Sequence, residues 1–153
     1  GLRYEKFREG YCPYAYRSHF DLSVKLNLEK RGIPLINYPD YLDIGELTIT
    51  HGCKHGASHL KQMYDMVGRN VLYGHLHRHE AKAFAKRGHS TKAWSLPCMC
   101  NLAPEYQKKN GENNWTNGYA TFGMRSSGQF NLHIHEIFNG ILVLPDGTKI
   151  TAS

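Results

Sequence analysis

The sequence contains no long hydrophobic run. No apolar stretch approaches the roughly 20 residues that a helix needs to cross a bilayer. The first residues, Gly1–Lys6, also lack the hydrophobic region of a signal peptide. These absences predict a cytoplasmic protein with no membrane partner.

Cysteine is sparse, and repeats and low-complexity segments are absent. The four cysteines, Cys12, Cys53, Cys98 and Cys100, do not resemble a disulfide framework, so we expect reduced thiols. A hydrophobic content of 41% against 21% charged residues is typical of a globular fold and argues against disorder. The length suits one domain, and we expect it to span residues 1–153.

What the chain does have is histidine at the ends of predicted strands. The apolar run Val71–Tyr73 leads into Gly74-His75-Leu76-His77, and the run Leu47–Thr50 leads into His51. Neutral imidazole is the commonest protein ligand for a transition metal, and open α/β sheets bind ligands at the carboxyl ends of their strands. If the Gly-His-Leu-His segment is extended, His75 and His77 point to the same side.

A helix is predicted between these two strands. Over 58–67 the apolar residues Leu60, Met63, Tyr64 and Val67 recur at the spacing of one helix face, and glycine follows. The order strand, His-Gly loop, helix, strand, Gly-His-Leu-His therefore predicts a βαβ-like unit with both histidine motifs on one rim.

The remaining patterns complete a mixed α/β fold. We expect a helix from Ser18 to about Arg31, a short strand over 35–38 and a hairpin over 41–50. Toward the C-terminus we expect strands at Ala120–Arg125 and Gln129–Ile137, then a hairpin of Ile141–Leu144 with Thr148–Ile150.

The net charge of +6 includes a basic segment beside the histidine motif. Five cations follow it with only Glu80 opposing them: Arg78, Lys82, Lys86, Arg87 and Lys92. A basic rim beside a metal site suits a phosphorylated or polyanionic substrate. The candidate rim residues are His55, Arg78, His79 and Lys82. A solvated polar face explains the same charges equally well.

Several other residues have two interpretations. His55 and His59 are spaced for a helical zinc site, or are polar residues at the helix N-terminus. Cys98-x-Cys100 could bind a soft metal, but a buried free cysteine is commoner. Cys53 adjoins His51 and carries the same pair of interpretations.

Two further pairs are more typical of structural roles. His133 and His135 alternate with apolar residues, which favours the solvent side of a strand over metal binding. Tyr106 and Trp115 could stack on a nucleic-acid base, but packing is the commoner role of aromatic residues.

Taken together, these motifs resemble the calcineurin-like metallophosphoesterases, in a branch found in phages and prophages. The resemblance covers about residues 30–140 and lies in Thr50-His51-Gly52, Gly74-His75-Leu76-His77 and the stretches Cys98–Tyr106 and Asn113–Ala120. It implies the C-terminal portion of a four-layer α/β sandwich with two sheets and flanking helices. If the protein is phage-encoded, it implies the host cytoplasm.

The resemblance also implies a function. Members of the family hydrolyse phosphomonoesters or phosphodiesters with water activated by two divalent metal ions. By position, His51 and His75 would bind one ion and His77 the other. Manganese, iron, zinc and nickel suit such ligands. The partner would be a phosphorylated substrate, nucleic acid included.

The chain departs from the family in lacking three earlier motifs: Asp-x-His, Gly-Asp-x-x-Asp and Gly-Asn-His-(Asp/Glu). Leu2–Arg8 resembles the segment that follows the third of them. The resemblance therefore implies the C-terminal half of an enzyme, inactive by itself, with one ion or none and no catalytic acid or base. The alternative is a non-catalytic, basic nucleic-acid-binding module with a single zinc site.

Overall fold

The computed structural model describes residues 21–37, 40–86, 89–105 and 113–151. It is a mixed α/β fold with one sheet of five strands and one of four. The chain divides into two compact units, Gly1–Asp40 and Tyr41–Ser153. The expectations of one domain and of a four-layer metallophosphoesterase sandwich stay predictions. Within the described ranges, no helix is long and apolar enough to cross a membrane.

In the first unit, the helix expected over residues 18–31 is wrong for most of its described part. Regular helix is limited to α1, Leu22–Lys25. The Asp21 carboxylate starts it by accepting a hydrogen bond from the backbone N–H of Ser23 at 2.8 Å. Asn27 ends it because its φ of 50° is left-handed, a conformation that asparagine tolerates better than most residues.

The five-stranded sheet belongs to the second unit and has the order β1-β2-β3-β5-β4. Its strands are β1 Leu42–Ile44, β2 Leu47–Thr50, β3 Asn70–Tyr73, β4 Glu80–Lys86 and β5 His89–Ser95. The neighbours β2, β3 and β5 run parallel, and β1 and β4 are antiparallel outer strands. The expected hairpin of β1 and β2 is confirmed.

The helix α2, His59–Val67, connects β2 to β3 and confirms the predicted βαβ unit. Its buried residues Leu60 and Met63 pack against Val71 and Tyr73 of β3 in the main hydrophobic cluster. Gly68 ends the helix with a φ of 77°, which a residue with a Cβ adopts only at a cost.

The hairpin of β4 and β5 was not predicted from the sequence. Residues 80–86 are rich in alanine and lysine, which favour helices over strands. Residues 80–86 form the strand β4 because β5, which pairs with β3 on one side, pairs with them on its other side. The rings of Tyr64 in α2 and Phe84 in β4 also stack with their centroids 4.3 Å apart.

The four-stranded sheet is an antiparallel meander of β6 Asn117–Met124, β7 Phe130–Phe138, β8 Ile141–Val143 and β9 Lys149–Thr151. These strands confirm the pattern expected for the C-terminal part. The sheet meets the first one within the same unit, where Trp94 and Phe130 have ring centroids 6.0 Å apart. The backbone N–H of Glu46 also donates to the Gly128 carbonyl at 2.9 Å.

The short strand expected over residues 35–38 is wrong for its described part, because residues 33–37 have no regular structure. Residue 38 lies outside the described ranges. A strand needs a hydrogen-bonded neighbour, and the described strands of the two sheets pair only among themselves.

Candidate metal centre

The parallel pairing of β2 with β3 brings the two histidine motifs together. Thr50 lies opposite Tyr73 in the register, so His51 and the loop Gly74–His77 leave the sheet side by side. The rings of His51 and His75 meet edge to face with their centroids 5.4 Å apart. Both side chains are exposed and accessible to a ligand.

The Gly74–His77 segment is a bent loop, so the extended arrangement considered from the sequence is wrong. His75 and His77 have left-handed φ values of 71° and 59°. The N–H of Leu76 donates to the Gly74 carbonyl at 2.9 Å and closes a three-residue turn around His75. Sparsely populated backbone conformations in non-glycine residues concentrate at functional sites.

The electrostatics of the cluster favour neutral imidazoles. Partial burial of its ring, and then the neighbouring His75 and His77, lower the pKa of His51 below its ordinary value of 6.5. Burial, and then His75, lower the pKa of His77 in the same direction. Neutral imidazole is the form that binds metals, so His51 and His77 are in the binding form at neutral pH.

The third histidine has a different environment from the other two. His77 is half-buried, and Trp115 packs against it with ring centroids 4.2 Å apart. Trp115 therefore has a packing contact with a candidate ligand, and Tyr106 lies outside the described residues. Among the residues that the structure describes, the buried Nδ1 atom of His77 has no hydrogen-bond partner.

His77, Cys98 and Cys100 form a potential metal-binding group. One ligand atom from each lies within 4.8 Å of the others, and the two sulfur atoms are 3.3 Å apart. Among the described residues it is the one set of three or more His, Cys, Asp or Glu side chains that meets this criterion. The Cys98-x-Cys100 pattern is compatible with a soft-metal site but is more typical of free cysteine. No local feature of the sequence predicts its proximity to His77.

The residues just before and within β6 hold the loop of Cys98 and Cys100 (the cysteine loop) against the loop Gly74–His77 (the histidine loop). The Thr116 N–H donates to the His77 carbonyl at 2.8 Å, and the Cys98 N–H donates to the Thr116 carbonyl at 2.9 Å. The Asn117 amide donates to the carbonyls of Cys98 and Cys100, at 3.2 and 2.9 Å. A hydrogen bond to the Cys98 sulfur raises the pKa of the Cys100 thiol.

A buried polar network supports the histidine loop from the side of α2. The His59 side chain is fully buried, with Nδ1 2.5 Å from the Tyr73 hydroxyl and Nε2 3.1 Å from a Glu80 carboxylate oxygen. Both ring nitrogens are thus engaged, so the zinc pair of His55 with His59 is wrong.

Glu80 is the charged member of this network. Burial opposes ionisation of Glu80, but hydrogen bonds from Arg78 and His59 outweigh it and lower the pKa of the carboxyl group. Burial raises the pKa of the Tyr73 hydroxyl. The ionised Glu80 carboxylate therefore accepts a hydrogen bond from the N–H of His59 Nε2, and His59 Nδ1 accepts a hydrogen bond from the Tyr73 hydroxyl.

The candidate rim residues fall into two pairs. Arg78 is bonded to Glu80 and donates to the Asn114 side chain at 2.9 Å, and His79 Nδ1 lies 3.7 Å from a Glu136 oxygen. The acidic neighbour Glu80 therefore offsets the charge of Arg78. Two rim residues remain accessible to solvent: His55 and Lys82, both exposed.

A separate cavity of about 650 Å³ lies between the two sheets. Lys92, Trp94, Arg125 and His133 are among the residues that line it, and His51, His75 and His77 are not. The Lys92 end of the basic segment thus faces this cavity. The candidate histidine ligands therefore lie outside this cavity.

A pair of metal ions would require ligands other than imidazoles and thiolates. Two dications close together need bridging oxygen ligands to offset their repulsion. No Asp or Glu belongs to the ligand group among the described residues. These residues therefore suit one ion held by imidazole and thiolate, and they do not by themselves suit a pair of ions.

Comparisons with family models, curated proteins and solved structures found no match to this chain. The resemblance to the calcineurin-like metallophosphoesterases therefore stays a prediction.

Proposed function

We propose that this chain supplies the histidine part of the metal centre of a metal-dependent phosphoesterase. The observation that carries the proposal is the contact between His51 and His75 at the ends of adjacent parallel strands. His77, two residues after His75, is close enough to His51 to lower its pKa. Two imidazoles from the ends of adjacent parallel strands are suitable ligands for a divalent transition metal.

The roles of the residues follow from their chemistry. His51 and His75 would hold an ion through neutral imidazoles, with His77 beside it. A divalent ion in such a site supplies Lewis acidity to a phosphate ester and to an attacking water. The exposed Lys82 would attract the phosphate. We assign no catalytic acid or base to the described residues.

We further propose that hydrolysis needs acidic ligands that this chain does not contribute. The sequence lacks the Asp-x-His, Gly-Asp-x-x-Asp and Gly-Asn-His motifs that supply them in the family it resembles. Residues 1–153 alone should therefore be inactive. A segment bearing those motifs should restore hydrolysis.

The test is hydrolysis of an aryl phosphodiester with manganese. Residues 1–153 are compared with a version extended at the N-terminus by a segment carrying the three absent motifs. Activity should appear only in the extended protein and be lost in His51→Ala and His75→Ala. The matched control is His133→Ala, because His133 is an exposed histidine on β7.

Two outcomes would contradict the proposal. One is turnover by residues 1–153 at the rate of the extended protein. The other is an extended protein whose activity survives His51→Ala and His75→Ala as well as it survives His133→Ala.

A further inference from the structure

We propose that His77, Cys98 and Cys100 bind one zinc ion through an imidazole and two thiolates. The inference concerns a thiolate site distinct from the His51–His75 pair, and it does not depend on phosphoester hydrolysis. One ligand comes from the loop after β3, and two come from the loop after β5. Because β3 and β5 are parallel neighbours, both loops leave the same edge of the sheet.

The spacing of the two sulfur atoms fits zinc better than it fits a disulfide. Zn–S bonds of about 2.3 Å in tetrahedral geometry place two sulfurs about 3.8 Å apart. A disulfide requires about 2.05 Å. The observed 3.3 Å is closer to the zinc spacing, and Cys100 is exposed, so a small rotation of its side chain suffices.

A second observation concerns the imidazole ring of His77. The Nδ1 atom of His77 is buried and has no hydrogen-bond partner in the part of the chain that is described. Burial of a polar atom without a partner is unfavourable. An imidazole with an unsatisfied nitrogen beside two thiols is suited to a metal, which would bind one nitrogen and fix the tautomer of the ring.

The surrounding residues hold the site in shape. The Asn117 amide is bonded to the carbonyls of Cys98 and Cys100, and its nitrogen lies 3.9 Å from the Cys98 sulfur. Trp115 packs on the His77 ring. Outer residues of this kind orient the ligands of metal sites, and their loss typically weakens metal affinity by about 10–100-fold.

The ligand types select the metal. Thiolates favour zinc and other soft or borderline ions, whereas manganese and magnesium prefer oxygen ligands. Zinc takes four ligands, and one imidazole with two thiolates leaves a fourth position for water or a substrate group. We therefore expect zinc in preference to manganese at this site.

The test uses residues 1–153, freed of metal and reduced with a non-thiol phosphine. Cobalt(II) is titrated as a spectroscopic substitute for zinc, because coordinated thiolates give an intense ligand-to-metal charge-transfer band. The band should appear, should disappear when zinc is added, and should not respond to manganese. Circular dichroism verifies that each variant is folded.

The variants separate this site from other thiols and from the histidine pair. Cys100→Ser and Cys98→Ser should abolish the band, and Asn117→Ala should weaken zinc binding by at least about tenfold. Cys53→Ala and Cys12→Ser are the matched controls and should keep it. His51→Ala and His75→Ala should also keep the band, so failure of the proposed hydrolytic site would leave this result unchanged.

Three results would overturn the inference. The first is a reduced wild-type protein that gives no thiolate band with cobalt. The second is a band that survives Cys100→Ser and Cys98→Ser but is lost with Cys53→Ala or Cys12→Ser. The third is a Cys98–Cys100 disulfide whose reduction releases two thiols without creating any zinc affinity.

Discussion

Replacing Tyr73 by phenylalanine tests the buried network beneath the histidine loop. The substitution removes one hydroxyl and keeps the ring, so the packing of Tyr73 in the core stays nearly the same. The hydroxyl is 2.5 Å from His59 Nδ1, and both side chains are fully buried. Water cannot reach the nitrogen that loses its partner.

The size of the effect follows from that burial. A typical hydrogen bond contributes about 1 kcal/mol to stability, but a buried group left without a partner costs about 1–3 kcal/mol. The opposite nitrogen of His59 is held by Glu80 at 3.1 Å, so the ring cannot simply turn to find another partner. We expect Tyr73→Phe to lower the free energy of unfolding by about 2 kcal/mol.

Urea denaturation followed by circular dichroism measures this change. The matched control is Tyr41→Phe, because Tyr41 is 43% exposed and its hydroxyl has water available. Its effect should stay within about 0.5 kcal/mol, as is usual for surface positions. Equal unfolding free energies for Tyr73→Phe and the wild-type protein would refute the reasoning that His59 depends on this hydroxyl.

Three further predictions concern other parts of the second unit. Gly45→Ala should destabilise the protein strongly, because a Cβ there would lie 2.6 Å from a backbone oxygen of the β6–β7 turn. The control is Gly56→Ala, which is also at positive φ but has open space around it. It should lower the free energy of unfolding much less in the same urea assay. The pKa of Glu80 is lowered in the folded protein, so its contribution to stability is present above pH 4.5 and is lost as the pH falls further. Glu80→Gln should therefore flatten this part of a plot of unfolding free energy against pH. An unchanged slope would contradict the role of Glu80. Affinity for single-stranded DNA should fall as salt rises, and less steeply in a Lys82→Ala, Lys92→Ala double variant, whereas salt-independent binding would argue against a polyanion surface.

Local patterns in the sequence determined much of the fold. The apolar spacing over 58–67 predicted α2, and the short apolar runs on either side predicted β2 and β3. The alternation in Gln129–Ile137 predicted β7. These features are readable because helices and half-buried strands bury residues at fixed intervals along the chain. The meeting of His51 with His75 followed from the same local information and the geometry of a βαβ unit.

Other features were decided only by tertiary structure. The alanine- and lysine-rich residues 80–86 form a strand because β5 lies between β3 and β4, which is a pairing between distant segments. His59 has no local signal that would separate a ligand from a buried residue, and its two partners come from β3 and β4.

The site formed by His77, Cys98 and Cys100 was also decided by tertiary structure. Cys98 and Cys100 reach His77 because parallel β3 and β5 bring their following loops together, and the segment before β6 then bonds to both loops. Local periodicity records which face of an element is buried. Which distant side chains share a site depends on strand order, and strand order is set by long-range pairing that no short segment encodes.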